Sequence, residues 1–190
     1  MKELIILGGP NGAGKTTAAR GILPGLLRIR EFVNADEIAR GLSPFNPDGA
    51  ALAAGRAMIE RIRSLVRAGE SLAIETTCSG HGHIRLIRDC RALGYRTTLI
   101  FLWLPSPEAA IARVARRVSE GGHRIPDDVV ERRYWTGLRN LRHAYLSAVD
   151  AGLVYDNSDQ ASIVVAESLP GEALVVRDRE SWAQIEKATT

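Results

Sequence analysis

Gly9-Pro10-Asn11-Gly12-Ala13-Gly14-Lys15-Thr16 decides the fold of this chain. The stretch has the form G-x-x-x-x-G-K-[ST]. Before it runs Leu4-Ile5-Ile6-Leu7, an apolar segment fit for a buried strand, and after it Thr16 through Leu27 reads as a helix. Strand, glycine-rich loop and helix in that order are the setting of a P-loop. The glycines let the backbone wrap so that successive N–H groups point at phosphate oxygens. The helix adds its unpaired N-terminal N–H groups and the positive end of its dipole. Lys15 can then reach the β- and γ-phosphates, and the Thr16 hydroxyl can ligate Mg²⁺. The motif predicts a nucleoside triphosphate site built from Gly9, Pro10, Asn11, Gly12, Ala13, Gly14, Lys15 and Thr16, extended by Thr17.

A length of 190 residues suits one domain, 1–190, with a sizeable core. Apolar content of 45% and charged content of 25% exclude a disordered or membrane-embedded chain. No run of eighteen apolar residues occurs, so no membrane partner is expected. Met1-Lys2-Glu3 leads straight into the first strand, leaving no room for a signal peptide. Cys78 and Cys90 lack metal-ligand spacing, and together these features predict a reduced, cytoplasmic protein with free thiols. The net charge of +3 is too mild to imply nucleic acid. Few aromatics and no dominant basic stripe argue against that partner too. Arginines do crowd the segment from Arg113 to Arg142.

Outward from the first helix, Glu31-Phe32-Val33-Asn34 reads as a second strand, and the loop Gly41 to Gly49 is too rich in proline and glycine for a helix or central strand. A helix is predicted from about Ala50 to Ala68, then a third strand, Ser71 to Thr76. A helical segment, His83 to Leu93, leads to a fourth strand, Thr97 to Leu104. Both strands are near-continuous apolar runs, as in a parallel sheet covered on both faces. Ser106-Pro107-Glu108 opens a further helix, and Asp128 with Glu131 has capping-box spacing at the start of a long one. Leu153-Val154-Tyr155 is the fifth strand. Two more β-rich runs, Ser162 to Ala166 and Ala173 to Val176, can pair as a hairpin within a β-rich extension over 159–190. The pattern predicts an α/β P-loop NTPase of the nucleotide-kinase kind, with a mainly parallel five-stranded sheet between helices.

In such a sheet the ligand groups belong just after the strands. Asp36 follows the second and Glu75-Thr76-Thr77 ends the third. A kinase must orient a hydroxyl toward the γ-phosphate and accept its proton, which suits Asp36. Equally, Asp36 could cap a short helix, Glu37–Arg40. Glu75 is placed to hold Mg²⁺ or grip substrate. Arg113, Arg116, Arg117 and Arg124 form a lid-like segment, 113–126, whose guanidinium groups could meet phosphate charge or simply face solvent. His81 and His83 have no third ligand at hand, so a metal there is not expected.

These residues resemble the zeta toxin family, P-loop kinases acting on UDP-N-acetylglucosamine. The likeness comprises the P-loop, Asn34-Ala35-Asp36-Glu37-Ile38-Ala39-Arg40, Glu75-Thr76-Thr77, the Arg116/Arg117 region, Gly122-His123-Arg124-Ile125-Pro126, and Glu131-Arg132-Arg133-Tyr134. Asp156-Asn157-Ser158 fits the broader group. The resemblance implies ATP and Mg²⁺ as cofactors, Lys15 on phosphates, Thr16 and Glu75 on the metal, and Asp36 as base. It places Arg40, Glu75, Thr76 and Thr77 at the substrate and Arg113 at the nucleotide. Arg124, with Arg116 or Arg117, would contact the transferred phosphate. A sugar nucleotide is the implied acceptor, and a separate antitoxin protein the implied partner. Known toxins carry a longer lid, so the choice between Arg116 and Arg117 stays open. A kinase for another metabolite or a polynucleotide end, and a nucleotide-dependent switch or ATPase, stand as alternatives.

Overall fold

The computed structural model describes residues 1–122, 124–159 and 161–189; His123, part of the resemblance, lies outside them. The chain runs β1 (Glu3–Gly8), α1 (Lys15–Ile22), β2 (Glu31–Val33), α2 (Ala35–Leu42), α3 (Ala51–Ala68), β3 (Leu72–Thr76), α4 (Gly82–Ala92) and β4 (Arg96–Trp103). It continues with α5 (Pro107–Ser119), α6 (Asp127–Asn140), a π-helical turn (Leu141–Tyr145) and α7 (Leu146–Ala148). Then come β5 (Ala151–Asp156), β6 (Ile163–Ser168), β7 (Val175–Val176) and α8 (Arg179–Lys187).

The strands form one seven-stranded sheet in the order β2-β3-β1-β4-β5-β6-β7. The pairs from β2 to β5 are parallel, and β6 and β7 add an antiparallel edge. The α/β P-loop fold class is therefore as the sequence predicts. The β6–β7 pair is also formed, through Ala166 opposite Val176. Strand residues Leu4, Ile6, Leu7, Leu72, Ile74, Leu99 and Phe101 are fully buried, because helices cover both faces of the parallel part. Register sets Gly8 level with Thr76 on one side and Phe101 on the other. The carboxyl ends of the central strands thus open onto one edge of the sheet, where a doubly wound fold places its ligand.

Three expectations are corrected. Helix α1 ends at Ile22 rather than Leu27, because Pro24 has no N–H with which to extend the hydrogen-bonded run past Leu23. The expected Asp128/Glu131 box does not form: α6 begins at Asp127, with Pro126 at the cap and no side-chain cap bond. The final segment is not wholly β-rich. Asp178 accepts hydrogen bonds from the Glu180 and Ser181 N–H groups and starts α8, which buries Trp182 and Ile185.

Candidate active site

The loop between β1 and α1 turns through left-handed backbone at Gly12 (φ +78°) and Gly14 (φ +83°), where a side chain would be strained. A Cβ on Gly12 would also lie 2.8 Å from the Ala110 carbonyl oxygen, so α5 packs directly on the loop. From the far side, Asn157 Nδ2 donates to the Ala13 carbonyl at 2.8 Å. Lys15 is buried beneath this wrap, and its Nζ donates to the Pro10 carbonyl at 2.8 Å. Burial lowers the Lys15 pKa, and Glu75, with Oε1 at 3.8 Å from Nζ, works against that shift. Asn11 Oδ1 is buried and, among the described residues, has no hydrogen-bond partner.

Glu75, at the end of β3, joins the other segments. Its Oε2 accepts from Thr16 Oγ1 and from Asn34 Nδ2, each at 2.8 Å. Asn34 in turn caps α2, its Oδ1 accepting from the Asp36 N–H at 2.8 Å and from the Glu37 N–H at 3.4 Å. The capping role open to Asp36 therefore belongs to Asn34. Asp36 sits in the first turn of α2, and its carboxylate is free of that task.

Two adjoining cavities share Asn11, Lys15, Asp36 and Glu75. The first, about 240 Å³, is completed by Gly12, Gly14, Thr16, Thr17, Arg113 and Arg117. Its lining of loop and cations is that of a phosphate site. The second, about 170 Å³, is completed by Asn34, Ala35, Thr76, Thr77 and Arg133. A wider cleft of about 460 Å³ lies at the amino end of β5, beside Asp150 and Trp182, and contains none of these groups.

The structure brings most of the candidate residues together and leaves some outside. Gly9, Pro10 and Ala13 form the buried body of the loop without lining either cavity. Arg113 lines the first cavity and donates to the Ser158 carbonyl. Arg117 lines it as well, whereas Arg116, 82% exposed, turns away and pairs with Glu120 at 3.2 Å. Arg40 pairs with Glu37 at 3.3 Å, and Arg124 is exposed; neither lines either of these two cavities. Asn34 and Arg133 were not among the candidate site residues. The first has a sequence signal, an Asn directly before a helix start. The second has one in the spacing Arg133, Gly137, Asn140, which shares a helix face.

Residues 4–136 match the AAA domain family. An uncharacterized protein of Haemophilus influenzae is 31% identical over 134 residues, covering 70% of this chain and 94% of that protein. Among solved structures, a chain of the AvrRxo1-ORF1:-ORF2 complex crystallised with ATP superposes with a TM-score of 0.76 at 19% identity. That likeness covers 100% of this chain, which spans only 64% of the AvrRxo1 chain's length. A chain of the PezAT chromosomal toxin–antitoxin system of Streptococcus pneumoniae gives 0.67 at 19% identity, covering 99% and 86% of the two chains. A sugar kinase from Janibacter sp. HTCC2649 gives 0.53 at 20% identity, covering 99% and 92%. At these identities the likeness is one of fold, a P-loop kinase-like fold shared by toxins and kinases. The family match carries the assignment further: the chain belongs to the AAA domain family.

Proposed function

We propose that the protein is a phosphotransferase that moves the γ-phosphate of ATP to a hydroxyl of a small molecule. One observation carries the reading: Asp36, released from capping by Asn34, borders both cavities where they meet. A hydroxyl presented from the second cavity toward a phosphate in the first passes this carboxylate. The donor set fits Mg·ATP. Thr16 and Glu75 offer hard oxygens already in contact at 2.8 Å, and Asn11 lines both cavities. When bound, Mg²⁺ would be held by Thr16 and Glu75 and would neutralise charge on the phosphates.

Within this reading each residue has a task. The P-loop N–H groups and Lys15 orient the triphosphate. Asp36 Oδ accepts the proton of the attacking hydroxyl. Arg113 and Arg117 neutralise charge on the oxygens of the transferring group. Arg124 stands outside and would join them on closure of the segment 113–126. UDP-N-acetylglucosamine is the first acceptor to try, on the strength of the zeta toxin resemblance and the PezAT-like fold. AvrRxo1 and PezAT are each paired systems, which supports a separate antitoxin as partner. Among the described residues no helix is long and apolar enough to cross a membrane, and both cysteines are free and buried, which supports a cytoplasmic setting.

Asp36→Asn tests the proposal, since Asn34 and not residue 36 holds the cap. Calorimetric affinity for Mg·ATP should stay within a few-fold of wild type. Phosphotransfer to UDP-N-acetylglucosamine, or to whichever member of a panel of sugars, nucleosides and oligonucleotides gains a phosphate by mass, should fall about 10²- to 10⁴-fold. Transfer at the wild-type rate would remove Asp36 from the mechanism.

A further inference from the structure

We infer that the acceptor carries an oxyanion, a phosphate or a carboxylate, and that Arg133 is the residue that selects it. The inference rests on reading the second cavity as the acceptor side of a kinase. That cavity is electrically polarised: Asp36 and Glu75 stand where it meets the phosphate site, and Arg133 is a further wall. The other cation in its lining, Lys15, is committed to the Pro10 carbonyl and to Glu75. Arg133 is half-buried, yet among the described residues it makes no ion pair and no hydrogen bond. A partly desolvated guanidinium facing a cavity, without an acid to meet it, is a binding site for an anion.

Arg133 is also held in place. Arg133, Gly137 and Asn140 fall on one face of α6 at i, i+4 and i+7. Gly137 lies so close to the loop after β3 that a Cβ there would sit 2.5 Å from the Thr77 carbonyl oxygen. Asn140 Nδ2 donates to the Cys78 carbonyl at 2.8 Å. These two contacts dock α6 against the segment that ends β3, with Arg133 one turn before Gly137 and level with Thr76 and Thr77 in the cavity wall. An acceptor bridging the cavity would turn its hydroxyl to Asp36 and its oxyanion to Arg133. Coulomb repulsion from Asp36 and Glu75 disfavours the reverse orientation.

The test saturates the P-loop with Mg²⁺ and a non-hydrolysable ATP analogue, then titrates matched probes by calorimetry. These are N-acetylglucosamine against its 1-phosphate and its UDP derivative, ribose against ribose 5-phosphate, and glucose against glucuronate. Wild type should bind at least one charged probe about 10-fold or more tightly than its neutral counterpart, the scale of a lost charge-assisted bond. Whether phosphate or carboxylate wins identifies the oxyanion. Arg133→Gln should erase the preference, Arg133→Lys should restore part of it as a point charge, and neither should change affinity for the ATP analogue. Equal binding of charged and neutral probes by wild type overturns the inference. So does a preference that survives Arg133→Gln, or a parallel loss of affinity for the ATP analogue. Should the Gln variant fail to fold, Arg133→Met takes its place, and an anion preference that survives that change overturns the inference as well. Anion preference without phosphotransfer to any probe would count against the kinase reading and leave this one standing.

Discussion

Lys15 is a charged amine in a place that resists charge: burial lowers its pKa, and Glu75 only partly offsets this. The sign of the consequence is fixed. In the free protein Lys15 releases its proton below the ordinary lysine value, and bound phosphates favour the protonated form again. Between those two pKa values, nucleotide binding draws a proton from solution, so the calorimetric enthalpy should vary with buffer ionisation in a pH range below the ordinary lysine value. An enthalpy independent of buffer up to pH 10 would show that Lys15 holds its proton throughout. Two neighbours give a second prediction. Arg117→Ala should lower kcat by about 10²-fold, the scale for a charge-stabilising donor. Arg116→Ala should stay within about two-fold, because Arg116 reaches Glu120 in solvent. Equal losses would mean that the two trade places during turnover. The sequence points to both arginines without separating them, since adjacent helical positions lie about 100° apart and only packing decides which faces the loop. The P-loop, Asp36 and Glu75 were legible because each lies at, or within three residues of, the carboxyl end of a strand. Arg133 was legible only as a member of the spaced set Arg133, Gly137 and Asn140; its place at the cavity depends on how α6 docks across the chain.

Helix α6 and the turn after it act as a brace for the loop that leaves β3. Gly137 touches the Thr77 carbonyl, Asn140 donates to Cys78, and Tyr145 in the π-helical turn donates to the Gly80 carbonyl at 2.8 Å. Cys78 itself has φ of +56° and is fully buried, and burial pushes its thiol up to about 12, so it is packing and not a nucleophile. Gly137→Ala should cost about 1–3 kcal/mol by overpacking and raise the acceptor KM more than the ATP KM, because Thr77 lines only the acceptor cavity. Urea unfolding with steady-state kinetics reads both, and equal shifts in the two KM values would break the link between brace and acceptor. At this scale the sequence was most legible where a period was long. Of the α3 stripe that spacing implies, Met58, Ile59, Ile62, Leu65 and Val66, the structure buries Met58, Ile62 and Leu65 and packs Val66 on the core, while Ile59 is 51% exposed. Helix α8 was missed because nine residues with only Trp182 and Ile185 buried among their apolar side chains give too short a pattern beside two β-rich runs.

Across the whole molecule the two ends of the sheet divide the work: the carboxyl edge gathers the two cavities of the candidate site, and the amino edge around β5 gathers ties between layers. Asp150, just before β5, is the clearest. Its Oδ2 accepts from the Thr97 N–H and from the Thr97 hydroxyl, each at 2.9 Å, and its Oδ1 lies 2.9 Å from Arg91 of α4. Arg91 also donates to the Ala148 carbonyl in α7 at 3.0 Å. One carboxylate thereby joins β4, β5 and α4, and through Arg91 it reaches α7. Burial alone would raise the Asp150 pKa; the two Thr97 bonds and Arg91 outweigh it, so the folded value lies below the ordinary 3.8. A depressed carboxylate contributes stability that is fully present above its unfolded pKa and is lost as pH falls through the folded one. Asp150→Asn keeps an acceptor for the Thr97 N–H but abandons the charge on Arg91. The variant should be less stable by about 1–2 kcal/mol at pH 7, with the gap unchanged at pH 5 and closing below pH 3.8 as the wild-type carboxylate protonates. Urea midpoints at these three conditions measure it. Phosphotransfer by the folded variant should match wild type, because Asp150 lines neither of the two site cavities. A stability gap that persists undiminished into strong acid would mean that the loss comes from packing and hydrogen-bond shape, and the charge would have no part in joining the layers.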